Sequence, residues 1–429
     1  MKRVARLVAY SLAVICAIYG ALIVVNLRDV PPGPEAERLR ALLDERPEIA
    51  DADNAFVFAS GFEIARGYSP VEWGRKRLNW IAAAGERGAA GPDHPPGEYY
   101  SRSRDRAAAH AEIAQSHMAA MTSPDSELAS WIDSERWLLE RYRLLVALPA
   151  WRGVVPENAS IPFVPFQSIM DGQKMLMSEA RLAAGRGDAA RVRAMLQQDL
   201  RFWRLLLGES DLLITKMIAA AAIRRHFESG NVVLARLARA GGAGGEGVPE
   251  SWRDPFGDSE LSMSRVMAGE WRYGSNLITL MLSERDLADP LKLLARPLFQ
   301  VQDSMNRHAR KVVAWIDYLD VPLSQLPGRV AAGPLELAGD DGLRAYNLTG
   351  WLLEHDWGYP NYTDYRVRVA DLEGARRAVL RATYLRDGNA VRVPGLRDPY
   401  TGAALTEAGG AVEFVGLAGG DRGRFRFPI

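Results

Sequence analysis

The chain has 429 residues and carries 53 basic against 53 acidic side chains, so it has no formal net charge and no bulk attraction for nucleic acid or a polyanionic substrate. Hydrophobic residues at 48% and charged residues at 25% are those of an ordinary globular chain, long enough for one large or two ordinary domains. Cys16 is the sole cysteine, which excludes an internal disulfide and a thiolate metal site.

The N-terminus sets the topology. Lys2, Arg3 and Arg6 precede Leu7 to Val25, an apolar run without a charge. As a helix, about 19 residues span roughly 28 Å, close to the hydrocarbon thickness of a bilayer. A cleaved signal peptide is the competing reading, but no small-x-small cleavage site stands before Asn26, Leu27 and Arg28, which favours an anchor. The cations cluster on the N-terminal side, so the positive-inside rule places residues 1–6 in the cytoplasm and the rest outside. Abundant Arg, Ala and Gly with only six lysines suggest a GC-rich bacterial genome. The expectation is a single-pass inner-membrane protein with a periplasmic body, and the membrane is its first partner. The predicted divisions are 1–6 (cytoplasmic start), 7–25 (anchor), 26–34 (spacer stiffened by Val30 to Pro34), 35–370 (α-helical body) and 371–429 (C-terminal α+β module).

Beyond the spacer the pattern is helical. Leu39, Leu42, Leu43 and Ile49 lie at mostly helical spacing, and Asn54 to Ile64 leans to helix. Ser69, Pro70 and Glu72 read as a capping box with proline at the first helical position. Gly85 to Tyr100 is a proline and glycine loop. One helix is predicted over Asp105 to Met121 and another from Pro124 to Leu145, before an extended crossover over 151–166. Then come short-linked hairpins: a helix to Ala184, a second capped by Asp188, a third capped by Ser210 or Asp211 and ending at Phe227, and a fourth from Asn231 to Arg239. Ile214, Met217, Ile218, Ala221 and Ala222 form an apolar stripe. Further helices are expected over 258–283, 300–319 and 343–353, with a flexible loop at 241–247 and another loop at 322–341. Asp364 to Val369 alternates as a strand might, Asp371 to Leu385 is helical, and Ala411 to Val415 with Arg424 to Phe427 are candidate strands of a hairpin. The fold class is mainly α: one transmembrane helix, a multi-helix body of helical hairpins and a small α+β appendage.

The chemistry-bearing residues are sparse. His110 and His117 would share a face of one helix, but a zinc helix wants histidines four apart, so no metal site is predicted and no cofactor is implied. Glu354, His355 and Asp356 are the weak catalytic candidates, since a carboxylate beside an imidazole can tune a proton transfer. Trp351, Trp357, Tyr359 and Tyr362 are the candidate binding aromatics. Neither G-x-S-x-G nor a P-loop occurs.

The tail, with Val393 to Arg397 and then Asp398, Pro399, Tyr400, Thr401 and Gly402 before two β segments, resembles the C-terminal region of type II secretion pseudopilins. In pseudopilins the membrane helix runs directly into that module, whereas here a long helical stretch intervenes. The anchor, Asp53 to Ala55 and Asp211 to Ala222 resemble uncharacterised membrane-anchored exported proteins of Gram-negative bacteria, a likeness that implies no activity. The functional expectation is a non-enzymatic envelope scaffold or partner-binding module, with an envelope protein as partner and no nucleic acid. The alternatives are a carboxylate-dependent envelope polysaccharide hydrolase or lyase, and a small-ligand domain with an aromatic groove.

Overall fold

The apolar N-terminal run forms one helix, α1 (Lys2–Val25), long and apolar enough to cross a membrane, with none of its span buried inside the protein. The computed structural model describes residues 2–84, 93, 95–97, 99–100, 110–158, 163–242, 244–281, 290–336, 344–356, 361–389 and 395–429.

The proline segment after α1 is not a free spacer. Asn26 is buried; its side chain donates to the Ala345 carbonyl at 2.8 Å and accepts from the Asn347 amide at 2.6 Å. Asp29 accepts the Gln302 and Asp303 amides at 2.7 and 3.1 Å, and Asn306 bonds both the Gly33 amide and the Pro31 carbonyl. Residues 26–33 therefore lie fastened along the body and are no independent spacer. The prolines interrupt regular structure here, and the Pro31 carbonyl is satisfied by a side chain of the body, Asn306.

The next helices are α2 (Pro34–Asp44), α3 (Ala55–Ser60) and α4 (Pro70–Ala83). Asn54 caps α3 by accepting the Phe56 amide, and Ser69 caps α4 by accepting the Glu72 amide. Most of the predicted 85–100 loop lies outside the described residues. The single helix expected over 105–121 is, in its described part, two: α5 (Ala111–Gln115) and α6 (His117–Thr122). Ser116 between them is extended and uses its hydroxyl to cap Ala119, so His110 and His117 do not share one helix face. Likewise Glu135 divides α7 (Asp125–Ser134) from α8 (Arg136–Val146).

The centre is α9 (Phe166–Gly185), α10 (Ala189–Glu209) and α11 (Leu213–Arg239), with Asp188 capping α10 as its sequence predicts. Two expectations fail here. Asp211 caps nothing; its carboxylate turns to Arg46 at 2.9 and 3.0 Å. Ser229, Gly230 and Asn231 do not break the chain, and α11 continues for 27 residues. Gly230 is there because any Cβ would meet the Trp252 ring at 2.6 Å. The predicted apolar stripe on α11 is split: Ala222 is buried and Met217 and Ile218 pack half-buried against the core, while Ile214 is 46% exposed and Ala221 is exposed.

Short helices α12 (Glu250–Arg253) and α13 (Asp258–Leu261) lead to α14 (Ser264–Met281), the last two being separate because Asp320 takes the Met263 amide between them. The 241–247 loop holds a 3-10 turn, Gly244–Glu246. Then follow α15 (Pro290–Ala295), a 3-10 turn (Arg296–Leu298) and α16 (Val301–Leu319). The 322–341 segment is not all loop, since α17 (Leu326–Ala332) forms with Pro327 in its first turn. α18 (Leu348–Asp356) begins after Asn347, which has φ 53°.

The predicted strand at 364–369 is the opening of α19 (Thr363–Arg386). This helix is enclosed by α11 and the C-terminal sheet, so Arg366 and Val369 on one side and Val367 on the opposite side are all buried, and the usual one-sided helical pattern is lost. The sheet has the order β1 (Thr406–Ala408), β2 (Ala411–Val415), β3 (Arg424–Pro428), all antiparallel, with Phe414 opposite Phe425. A boundary at residue 371 falls inside α19, and one continuous cluster of buried side chains runs from Leu39 on α2 to Phe427 on β3.

Candidate functional site

Of the predicted catalytic group, Glu354 alone has a described side chain. Glu354 pairs with Arg307 and Lys311 of α16, each at 2.5 Å, a contact that fastens α18 to α16. The side chains of His355 and Asp356, and all of Trp357 and Tyr359, lie outside the described residues. Trp351 is half-buried on α18, and Tyr362 is buried with its ring 5.7 Å from that of Trp315, a packing role. Beside Glu354, His308 is enclosed and burial holds its imidazole down at about 4, with Lys311 adding to the effect. The space there is only about 20 Å³, room for a water and no more.

The strongest polar constellation is elsewhere, and it is sealed. Asp199 on α10 and His226 on α11 are both fully buried, and Nδ1 of the imidazole lies 2.7 Å from Oδ2. Trp252 donates its indole N–H to His226 Nε2 at 2.7 Å. An indole can only donate, so Nε2 is the acceptor and the ring proton sits on Nδ1, facing Asp199. Tyr142 donates to Asp199 Oδ1 at 2.5 Å and accepts from Trp203 at 3.0 Å, while Gln173 donates to Oδ2 at 3.0 Å. Burial pushes the Tyr142 phenol well above its ordinary range, with the Asp199 carboxylate acting the same way. Every donor in this network has an acceptor, and no substrate can reach it; it ties α8, α9, α10, α11 and α12 together.

Gln173 also lines an open crevice of about 200 Å³ between α6, α9 and α11. Its lining includes His117, Gln167, Asp171, Lys174, Arg225 and Ser229. His117 is held by Glu228 at 2.9 Å; burial acts to raise the Glu228 carboxyl, but bonds from His117 and Arg224 outweigh it and hold the group below its usual range. Asp171 accepts from Tyr100 at 2.9 Å and Gln167 at 3.3 Å, with the Lys174 ammonium 3.4 Å away. Arg225 is different. Among the described residues its guanidinium has only the Met170 sulfur, at 3.4 Å, as a hydrogen-bond partner, and no carboxylate is within ion-pairing distance. Burial lowers its pKa, opposed by the fields of Glu228 and Asp171. A guanidinium has five donors in a planar fork suited to a carboxylate or phosphate. On the same face of α11, one to three turns toward its N-terminus, Ile214 and Ala221 are exposed and Ile218 half-exposed, with half-exposed Met217 beside them.

None of these residues except His117 stands out in the sequence as a site. A signal for the sealed pair did exist: Asp199 falls on the apolar stripe of α10 with Val192, Leu196, Trp203 and Leu206, and His226 on that of α11 with Ala219, Ile223 and Val233. Polar residues on a core face announce a buried network. Arg225 carries no such mark. Comparison with protein-family models, curated proteins and solved structures finds no match for this chain.

Proposed function

We propose that this chain is a non-enzymatic, membrane-anchored partner-binding module of the bacterial envelope, with its body in the periplasm and the α9/α11 crevice as the socket for a carboxylate of a protein partner. The observation that carries this reading is the Arg225 guanidinium, set in a polar crevice with a thioether as its only hydrogen-bond partner among the described residues. A cavity of about 200 Å³ is smaller than the roughly 300 to 1,000 Å³ of small-molecule sites, and it suits one acidic side chain or chain terminus. Toward the N-terminus of α11, Ile214, Met217, Ile218 and Ala221 supply the water-excluding surface that a protein interface needs around a charged contact. The hydrolase reading has less support, because Glu354 is committed to two cations and Asp199 is inaccessible.

The test is binding of short peptides bearing Asp, Glu or a free C-terminus, against Asn, Gln and amidated counterparts, to the full chain in nanodiscs. A charge-assisted hydrogen bond is worth about 1.5 to 3 kcal/mol, so Arg225→Gln should weaken acidic peptides roughly 10- to 100-fold and leave neutral ones unchanged. Equal binding of acidic and neutral peptides, or indifference to Arg225→Gln, overturns the proposal.

A further inference from the structure

We infer that the body makes a second membrane contact beside its anchor: Leu293 and Leu294 of α15, with Leu352 of α18, lie in the acyl region of the leaflet nearest the body. The inference rests on α1 crossing the bilayer. If Leu7 to Val25 fills the hydrocarbon, Val25 sits at its boundary and Tyr19, six residues earlier, lies about 9 Å inside it. The Tyr19 hydroxyl donates to the Leu294 carbonyl at 3.0 Å. Helical side chains lean toward the helix N-terminus, which for α1 is away from the body, so the phenol reaches deeper into the membrane and not back toward the surface. The carbonyl it holds is therefore below the interface.

Burial along α1 agrees. Of its residues with a described side chain, only Tyr19, Leu22 and Ile23 are half-buried, the i, i+3 and i+4 positions of one face, while the rest are exposed. The body thus covers one side of the last two turns of α1, within the apolar run. Leu293 is 49% exposed and Leu294 54%. Leu352 is 53% exposed, and it stands three residues beyond Thr349, whose hydroxyl donates to the Ala295 carbonyl at 2.7 Å, so it faces the same side. In water this would be an exposed leucine cluster at the foot of a body whose other leucines are mostly buried. Against lipid it continues the apolar surface of α1, and Lys292 and Arg296 on either side suit the headgroup level.

The experiment uses the full chain in phosphatidylcholine/phosphatidylglycerol nanodiscs, with Cys16→Ala removing the sole native thiol. Single cysteines at positions 15, 293, 294, 352 and 68 carry an environment-sensitive fluorophore; Tyr68, 43% exposed in the loop before α4, is the aqueous control. Labels at 293, 294 and 352 should emit blue-shifted, be quenched by nitroxide-bearing lipid as deeply as the label at 15, and lose the iodide quenching seen at 68. Iodide quenching at all three equal to that at 68, with 15 still lipid-quenched, overturns the inference alone. Shielding from both quenchers means that protein covers the patch, and overturns it too. Iodide access at 15 overturns the anchor reading and this inference together.

Discussion

Asp199→Asn separates a load carried by the framework from a role in binding. In the native network the carboxylate accepts from Tyr142 on Oδ1 and from His226 and Gln173 on Oδ2. The amide of asparagine must put its NH2 on one side. Facing Oδ2, it meets two donors, and His226 cannot switch tautomer because Trp252 already donates to Nε2. Facing Oδ1, it meets Tyr142, whose oxygen can accept but whose proton then loses its acceptor. The second arrangement is cheaper and leaves one buried donor unsatisfied, a cost of about 1 to 3 kcal/mol. Asp199→Ala, which orphans three donors, should cost more. Urea unfolding of the full chain in nanodiscs, followed by tryptophan fluorescence, should show the Asn variant shifted to lower denaturant and the Ala variant lower still. An Asn variant that unfolds with the wild type refutes the hydrogen-bond assignment. One that keeps its stability but loses acidic-peptide binding moves Asp199 from the framework to the site.

Three further outcomes are expected. Gly374→Ala on α19 places a Cβ 2.1 Å from the Phe414 ring, so despite a gain of about 1 kcal/mol in helix propensity it should loosen the C-terminal sheet by about 1 to 3 kcal/mol; slower proteolysis of the tail would contradict this. Burial pulls Lys216 from 10.5 down to about 7, so between those values the unfolded chain holds a proton that the folded chain has released, and stability from this group rises as pH climbs through that window. Melting temperatures of wild type and Lys216→Met should therefore change in favour of the wild type from pH 7 to pH 10 (parallel curves would refute the assignment). Reporter fusions at Gly91 and Gly245 should be active for alkaline phosphatase and silent for β-galactosidase, and the reverse pattern would invert the topology.

What was legible in the sequence was what is decided locally. The membrane-length helix α1 follows from an uninterrupted apolar run, the Asp188 and Ser69 caps from side chains that reach their own backbone, and the C-terminal hairpin from strand-like pieces bounded by glycine. What was not legible depends on distant neighbours. Gly230 reads as a break until Trp252 occupies its missing Cβ position. Residues 364–369 alternate like a strand because α19 is buried on several sides. Of the candidate site, His117 was visible but its partner Glu228, 111 residues away, was not, and Arg225 looks like any helix-surface arginine.

The fastening of residues 26–33 sets the geometry of encounter. A free coil of about eight residues would let a tethered body wander roughly 15 Å, sampling heights and azimuths above its anchor. With Asn26, Asp29 and Gly33 each bonded to the body, that search volume collapses. With α1 crossing the bilayer as proposed, the molecule would be a fixed-height bracket, presenting one side at a set distance from the membrane. A partner confined to the same membrane need only diffuse in two dimensions to meet it, whereas one whose acidic group rides at another height gains nothing from sharing that membrane.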